Sequence, residues 1–194
     1  MLHGKRHPDA FTLLELLIVI SLMSILASLI IPRLEPTIDA QLQGAAQVVA
    51  ADLAYARSLA VTNNSSYQLS FDAESNRYVL AHSGANTLLD DLPRSPFRRA
   101  DDPADKQTTD LDELPRMGLT VRLLVVHKAN DSLEVVGDLQ FGPLGGTSRP
   151  EETVVWLTSG AGRSQRYLSL RVDPVTGLVS IGQLTATAPT VSGG

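Results

Sequence analysis

Hydrophobic residues are spread very unevenly along this chain. From Leu16 to Ile31 the sequence LLIVISLMSILASLII holds sixteen residues without a charge. Adding Phe11 to Glu15 extends the stretch to twenty-one residues before Pro32. A helix of that length rises about 31 Å, close to the roughly 30 Å hydrocarbon core of a bilayer. A helix at the surface of a soluble domain shows one polar face. This run offers only Ser21, Ser24 and Ser28 among large apolar side chains. A serine can return its hydroxyl to the carbonyl of the preceding turn, so it costs little in lipid. The pattern predicts that residues 11–32 form the transmembrane half of an N-terminal helix.

Pro32 and Pro36 then bracket an exit from the membrane. Each proline lacks a backbone donor, which predicts a bend or brief break, with Pro32 as the kink. A helical pattern resumes from about Thr37 to Thr62. Leu42, Ala46, Val49, Leu53, Ala56 and Ala60 recur at three- and four-residue steps and form one apolar face. Gln41, Gln43, Gln47, Asp52 and Arg57 fall largely elsewhere. The face is rich in alanine, so another layer can approach closely. Asn63-Asn64-Ser65-Ser66 ends the helix.

After Ser66 the period changes to two. Tyr67–Phe71 and Arg77–Ala81 flank the turn sequence DAESN and read as a hairpin. Further strands are expected at 119–127, 133–136, 139–141, 153–157, 167–172 and 178–181, the last two joined by the turn Asp173–Gly177. Residues 86–116 are polar, with eight acidic and five basic side chains and four prolines, and read as a long, partly mobile loop. The fold class is therefore α+β: a long N-terminal helix, transmembrane in its first half, packed on an antiparallel β-sheet domain. The expected divisions are a leader at 1–10, the transmembrane half at 11–32 and an amphipathic periplasmic half at 33–62. A β-rich globular domain follows at 63–184, then a flexible tail at 185–194.

Charge and composition narrow the functions. The formal net charge is -5, so electrostatics gives no reason to expect a nucleic-acid partner. There is no cysteine, which excludes a disulfide framework and a thiolate metal site. Of the four histidines, His3, His7, His82 and His127, the first two are four residues apart, but no HExxH motif or neighbouring third ligand accompanies them, and zinc is not favoured. His127 lies in an apolar strand and reads as a packed core residue, whereas His82 follows a strand end and is expected to be exposed. Asp101, Asp102 and Asp105, or Asp110, Asp112 and Glu113, are candidate calcium ligands. No EF-hand spacing supports them, and a solvated charged loop is the plainer reading. No cofactor or metal is assigned.

The segment before the apolar run is MLHGKRHPDA. Lys5 and Arg6 keep this end cytoplasmic and place the globular part outside the inner membrane. An ordinary secretory signal would have a shorter apolar region followed by a small-residue cleavage site. Here the run is longer and is followed by proline and charge, while the small residue, Ala10, precedes it. Cleavage at Ala10 would leave the helix on the mature chain. Glu15 is then informative, because a carboxylate in a membrane helix is costly, less so near the interface. It lies one turn after Phe11. A cut between Ala10 and Phe11 would give Phe11 a free ammonium group placed to pair with Glu15, within one chain or between neighbours. The bland alternative is an acid tolerated at the first turn, where the helix dipole favours negative charge.

The string Ala10-Phe11-Thr12-Leu13-Leu14-Glu15-Leu16-Leu17-Ile18-Val19-Ile20 resembles the class III signal of type IV pilins and type II secretion pseudopilins. The resemblance implies cleavage after Ala10 and N-methylation of Phe11 by a prepilin peptidase. It gives Glu15 an assembly role as the fifth residue of the mature chain, and it puts Pro32 where such helices carry a kink. One departure is that the residue before the cut is usually glycine and here is alanine. Ala50–Asp72, Leu139–Ser148 and Leu170–Gly182 resemble, more loosely, segments of the general secretion pathway protein H family. That family implies a minor pseudopilin near the tip of the periplasmic pseudopilus. The implied partners are other pseudopilins or pilins, the peptidase and inner-membrane lipid.

Two other functions compete. A minor type IV pilin serving pilus assembly or binding DNA during uptake should show a basic stripe. The only local basic cluster, Arg94, Arg98 and Arg99, sits inside the acidic loop. A tethered enzyme should show a catalytic motif, and no GxSxG, HExxH, GxxxxGK[ST] or CxxC occurs. No catalytic residue is assigned.

Overall fold

The structure is a computed structural model that describes residues 12–30, 37–93, 99–115, 121–129 and 134–189. It divides into two units, Met1–Glu35 and Pro36–Gly194. The first contributes helix α1, Leu13–Ile30. Two of its serines close their hydroxyls onto the preceding turn, Ser21 onto the Leu17 carbonyl and Ser24 onto that of Ile20, each at 2.8 Å. Pro32 and Pro36, expected to bend the chain, lie outside the described residues.

The second unit begins with helix α2, Ile38–Thr62. Thr37 caps its start by accepting a hydrogen bond from the Ala40 amide. Its end is a Schellman motif: Asn64 takes a left-handed conformation (φ 47°), Ser65 N–H reaches the Ala60 carbonyl at 3.0 Å and Asn64 N–H that of Val61. Among the described residues eight strands follow: β1 Tyr67–Asp72, β2 Arg77–His82, β3 Lys106–Asp110, β4 Val121–Lys128, β5 Asp138–Phe141, β6 Thr153–Ser159, β7 Arg166–Val172 and β8 Val179–Ile181. They form two antiparallel four-stranded sheets, ordered β3-β2-β1-β5 and β4-β6-β7-β8. Helix α2 packs against strands of both.

That double contact widens the buried arc of α2. The six apolar positions read from periodicity are buried, and so are Ala45, Leu59 and Asp52. The placement of Asp52 off the buried face is thus corrected. Its Oδ2 accepts from the Tyr78 hydroxyl at 2.7 Å and from Thr109 Oγ1 at 2.8 Å, tying α2 to β2 and β3. Burial is the main influence on this carboxyl and pushes its pKa up, against the two hydrogen bonds.

The polar segment 86–116 also needs correction. It contains a 3-10 turn at Thr87–Leu89, the whole of β3 and a second 3-10 turn at Leu111–Glu113. Strand β3 has the sequence KQTTD and no apolar alternation. It forms because β2 offers a free edge and aligns Leu80 with Gln107 and Tyr78 with Thr109. Residues 94–98 and 116 of this region lie outside the described residues. Thr185, expected to start a flexible tail, exchanges backbone hydrogen bonds with Tyr167 in both directions at 2.8 and 3.0 Å.

Asn76 joins the two sheets. It sits at the end of the β1–β2 turn with φ 52° and is 1% exposed. Its Nδ2 donates to Asp112 Oδ1 (2.7 Å) and to the Val121 carbonyl (2.9 Å), and its Oδ1 accepts from the Leu123 amide (2.7 Å). Its own carbonyl accepts from the Leu111 amide. The first sheet's hairpin is thereby fixed to β4 of the second.

Two predictions follow from these polar contacts. Asn76→Ala strands buried partners in β4 and puts alanine, which tolerates the left-handed region less well than asparagine, at positive φ, so denaturant unfolding should show a loss of about 2–4 kcal/mol, and Asn76→Gly should recover only the backbone part. For Asp52, the folded pKa lies above the unfolded one. The fold therefore holds this proton more tightly, and the associated stability, present at acid pH, is lost as pH rises through the folded value. Asp52→Asn should flatten that part of the stability–pH profile. Asp52→Ala should cost about 1–3 kcal/mol at acid pH, because the buried Tyr78 hydroxyl loses its acceptor, and less as pH rises through the folded value.

Candidate functional site

Of the residues singled out for processing and assembly, the structure describes Glu15, in the first turn of α1. Thr12 caps this helix: its Oγ1 accepts from the Glu15 amide at 3.2 Å, and its carbonyl accepts from the amides of Glu15 and Leu16. Thr12-x-x-Glu15 is the spacing of a capping box, a signal in the sequence that the reading of Glu15 alone passed over. Ala10 and Phe11 lie outside the described residues, so the proposed partner of Glu15 does too. Among the described residues, the Glu15 carboxylate has no ion-pair or hydrogen-bond partner. It sits in the first turn, where the positive end of the helix dipole favours an anion.

The rest of α1 is apolar on every side. Leu13 to Leu26 are exposed throughout, with Leu13 at 82% and Met23 at 67%. Such a surface demands an apolar surrounding. The described helix has 18 residues and rises about 27 Å, short of the roughly 30 Å hydrocarbon core. Among the described residues, no helix is long and apolar enough to cross a membrane.

The second unit brings together one constellation that the sequence did not show. Ser65 Oγ lies 2.7 Å from His82 Nε2, and His82 Nδ1 lies 2.8 Å from Asp90 Oδ1. The His82 side chain is 1% exposed, which corrects the expectation of an exposed residue. The order Ser–His–Asp is that of a nucleophilic triad. A reacting carbonyl, however, needs open space about 3 Å from the serine oxygen. That space is filled by backbone: a Cβ added at Gly84 would fall 2.1 Å from Ser65 Oγ. Tyr67 closes another side with its ring 5.0 Å from the imidazole. The arrangement is a clasp joining the end of α2 to β2 and to the turn after it. His127 is buried and held in one tautomer. Its Nε2 accepts from the Trp156 indole N–H at 3.0 Å, which leaves Nδ1–H to donate to the Lys128 carbonyl.

Five of the six acidic residues considered for calcium, all but Asp105, serve the local fold. Asp102 Oδ2 accepts from the amides of Arg99 and Thr108. Asp110 caps the 3-10 turn through the Asp112 amide, and Asp112 binds Asn76. Asp101 and Glu113 both pair with Arg99, at 3.2 and 2.8 Å. Among the described residues, no group of three acidic or histidine side chains is placed to hold a metal ion. Of the basic cluster, Arg94 and Arg98 lie outside the described residues, and Arg99 is taken up by those two acids. A shallow groove of about 470 Å³ runs between Gln43 and Gln47 of α2 and Leu168 and Ile181 of β7 and β8, with no ionisable side chain in its lining.

The comparisons with known proteins bear on both units. The prokaryotic N-terminal methylation motif matches residues 5–31, which span Ala10, Phe11 and Glu15. The type II transport protein GspH family matches residues 45–177, most of the second unit. Among curated proteins, none matches. Among solved structures, the chain is similar to the type IV minor pilin FimU of Pseudomonas aeruginosa, at 19% identity over 77% of this chain and 98% of that one, with a TM-score of 0.47. It is also similar to the minor pseudopilin EpsH from the type 2 secretion system of Vibrio cholerae, at 8% identity over 73% of this chain and 95% of that one, with a TM-score of 0.48. The family match covers more than half of the sequence, and this chain belongs to the type II transport protein GspH family, behind an N-terminal methylation motif.

Proposed function

We propose that this protein is a minor pseudopilin, a structural subunit near the tip of the periplasmic pseudopilus of a type II secretion system. The leader ends at Ala10, a prepilin peptidase cuts there, and Phe11 becomes the N-methylated first residue. Residues 11–32 hold the subunit in the inner membrane until assembly, with the second unit in the periplasm. What carries this reading is a single juxtaposition: a helix apolar on all sides, with one acid in its capped first turn, ahead of a GspH-family domain.

The physical mechanism follows from the surroundings of α1. Moving an apolar helix from lipid into a bundle of like helices exchanges one apolar environment for another, so the step is roughly neutral in hydrophobic terms. Polar contacts then decide register. A carboxylate without a partner in its own helix, facing a free amine on a neighbouring subunit, sets the axial stagger. Serines satisfied within the helix do not compete for that role.

Mass measurement of the protein from cells with the peptidase should show a chain beginning with methylated Phe11, and cells without it should retain Met1. A mature chain starting beyond Pro32, or at Met1 despite an active peptidase, would overturn the proposal. Glu15→Ala should leave membrane insertion unchanged but lower filament incorporation about tenfold, the scale of one polar contact between helices in lipid. Normal incorporation of that variant would remove Glu15 from assembly.

A further inference from the structure

Two turns and the end of α2 build an exposed surface that the fold does not use. The first turn runs Gly142–Gly146, closed by Gly145 N–H to the Gly142 carbonyl and by Gly142 N–H to that of Gly146. The second runs Asp173–Gly177, closed by Gly177 N–H to the Asp173 carbonyl at 2.8 Å. They interlock: Thr147 N–H donates to the Pro174 carbonyl at 2.8 Å. A Cβ at Gly177 would fall 1.9 Å from the Gly145 carbonyl oxygen, so only glycine lets the two backbones meet, and Gly177 also has φ +64°. Arg57 of α2 locks the pair, its Nε–H shared between the carbonyls of Thr176 at 2.7 Å and Gly145 at 3.3 Å.

On this rigid base the turn tips are apolar and bare. Leu144 is 96% exposed and Val175 80%, and Val61 of α2, beside Gly145, is 48% exposed. Apolar tips on well-tied turns mark a contact surface more strongly than the same residues on a fraying loop. The charge beside them is unbalanced. Arg57 is held by carbonyl dipoles, and among the described residues its two terminal nitrogens meet no acceptor and no carboxylate pairs with it. The nearest acid in sequence on the second turn, Asp173, is spent on that turn, accepting from the amides of Val175 and Thr176 and from the Thr176 hydroxyl. A guanidinium with its fork unfilled matches a carboxylate, which accepts two parallel hydrogen bonds.

We infer that the surface formed by Arg57, Val61, Leu144 and Val175 docks another pilin-like subunit through a segment that carries an acidic side chain among apolar ones. The inference rests on the reading of the chain as an assembly subunit and adds a specific contact to it.

The test uses the full-length chain in its host, with a photo-reactive residue in place of Leu144 or, separately, of Met23 in α1. Illumination should join position 144 to a pilin-like subunit, and mass spectrometry of the adduct should find an Asp or Glu flanked by apolar residues. Val175→Ser, a change at a bare position, should leave the melting temperature unchanged and lower the yield at 144 several-fold. Arg57→Gln should lower it about tenfold, the scale of a charged hydrogen bond lost from a docked surface. Both variants should leave the yield at position 23 unchanged. Adducts at 23 with none at 144 would overturn this docking surface while leaving the subunit reading intact. Adducts at neither position would overturn the subunit reading and this inference with it. An adduct at 144 to lipid, to a second copy of this chain or to a segment without an acid would also overturn the inference, as would a full yield from Val175→Ser.

Discussion

The second unit depends on one helix serving two sheets at once. Helix α2 can do so because its seam is made of small residues: Ala45, Ala46, Ala56 and Ala60 are all fully buried. A short side chain lets backbone layers approach, and leucines and valines from both sheets fill the space around it. Leu42, Leu53, Leu69, Leu80, Leu157 and Leu170 belong to a single core. Neither sheet closes on itself, so each needs the helix as its lid. Enlarging one of those alanines would push both sheets away together, and the core has no second layer to absorb the shift.

Apolar packing alone would leave the two sheets free to slide over that helix. Polar groups fix them. Asn76 uses both amide hydrogens and its carbonyl oxygen to hold the first hairpin against Asp112 and β4, and Asp52 pins the middle of α2 to β2 and β3. The Ser65–His82–Asp90 clasp ties the helix end to the strand beside it. Buried polar groups that are fully paired specify a unique arrangement, while a partly paired one would weaken it.

Most elements were legible in the sequence: α1, α2, and the strands β1, β2, β4, β5, β6, β7 and β8 fall within a few residues of their expected places, whereas the strand expected at 133–136 is, among its described residues, only a bridge from Val135 to His127. What could not be read is anything decided at a distance. KQTTD gives no alternation, and it becomes a strand because β2 has an open edge. Asp52 looks like a solvent residue until Tyr78 and Thr109 arrive across the core. His82 looks exposed at a strand end until Ser65, Asp90 and Gly84 close around it. The division into two sheets is likewise a matter of pairing between remote strands. For the candidate site, Glu15 and its place one turn into the helix were readable because the motif is local, and so was the threonine cap, which the spacing Thr12-x-x-Glu15 spells out.

The outer strands carry a consequence for how this domain meets other chains. A sheet edge is an open row of donors and acceptors, and other chains can add to it. Each of the four edges here is blunted in a different way. Strand β3 has only polar and charged residues, and β5 carries Asp138, bound by Arg149 and Gln68. Strand β4 is bent by an irregular register between Leu123 and Val125, and β8 is three residues long. Among the described residues, lateral strand addition is discouraged at every sheet edge, which leaves side-chain surfaces as the places where another chain can be held.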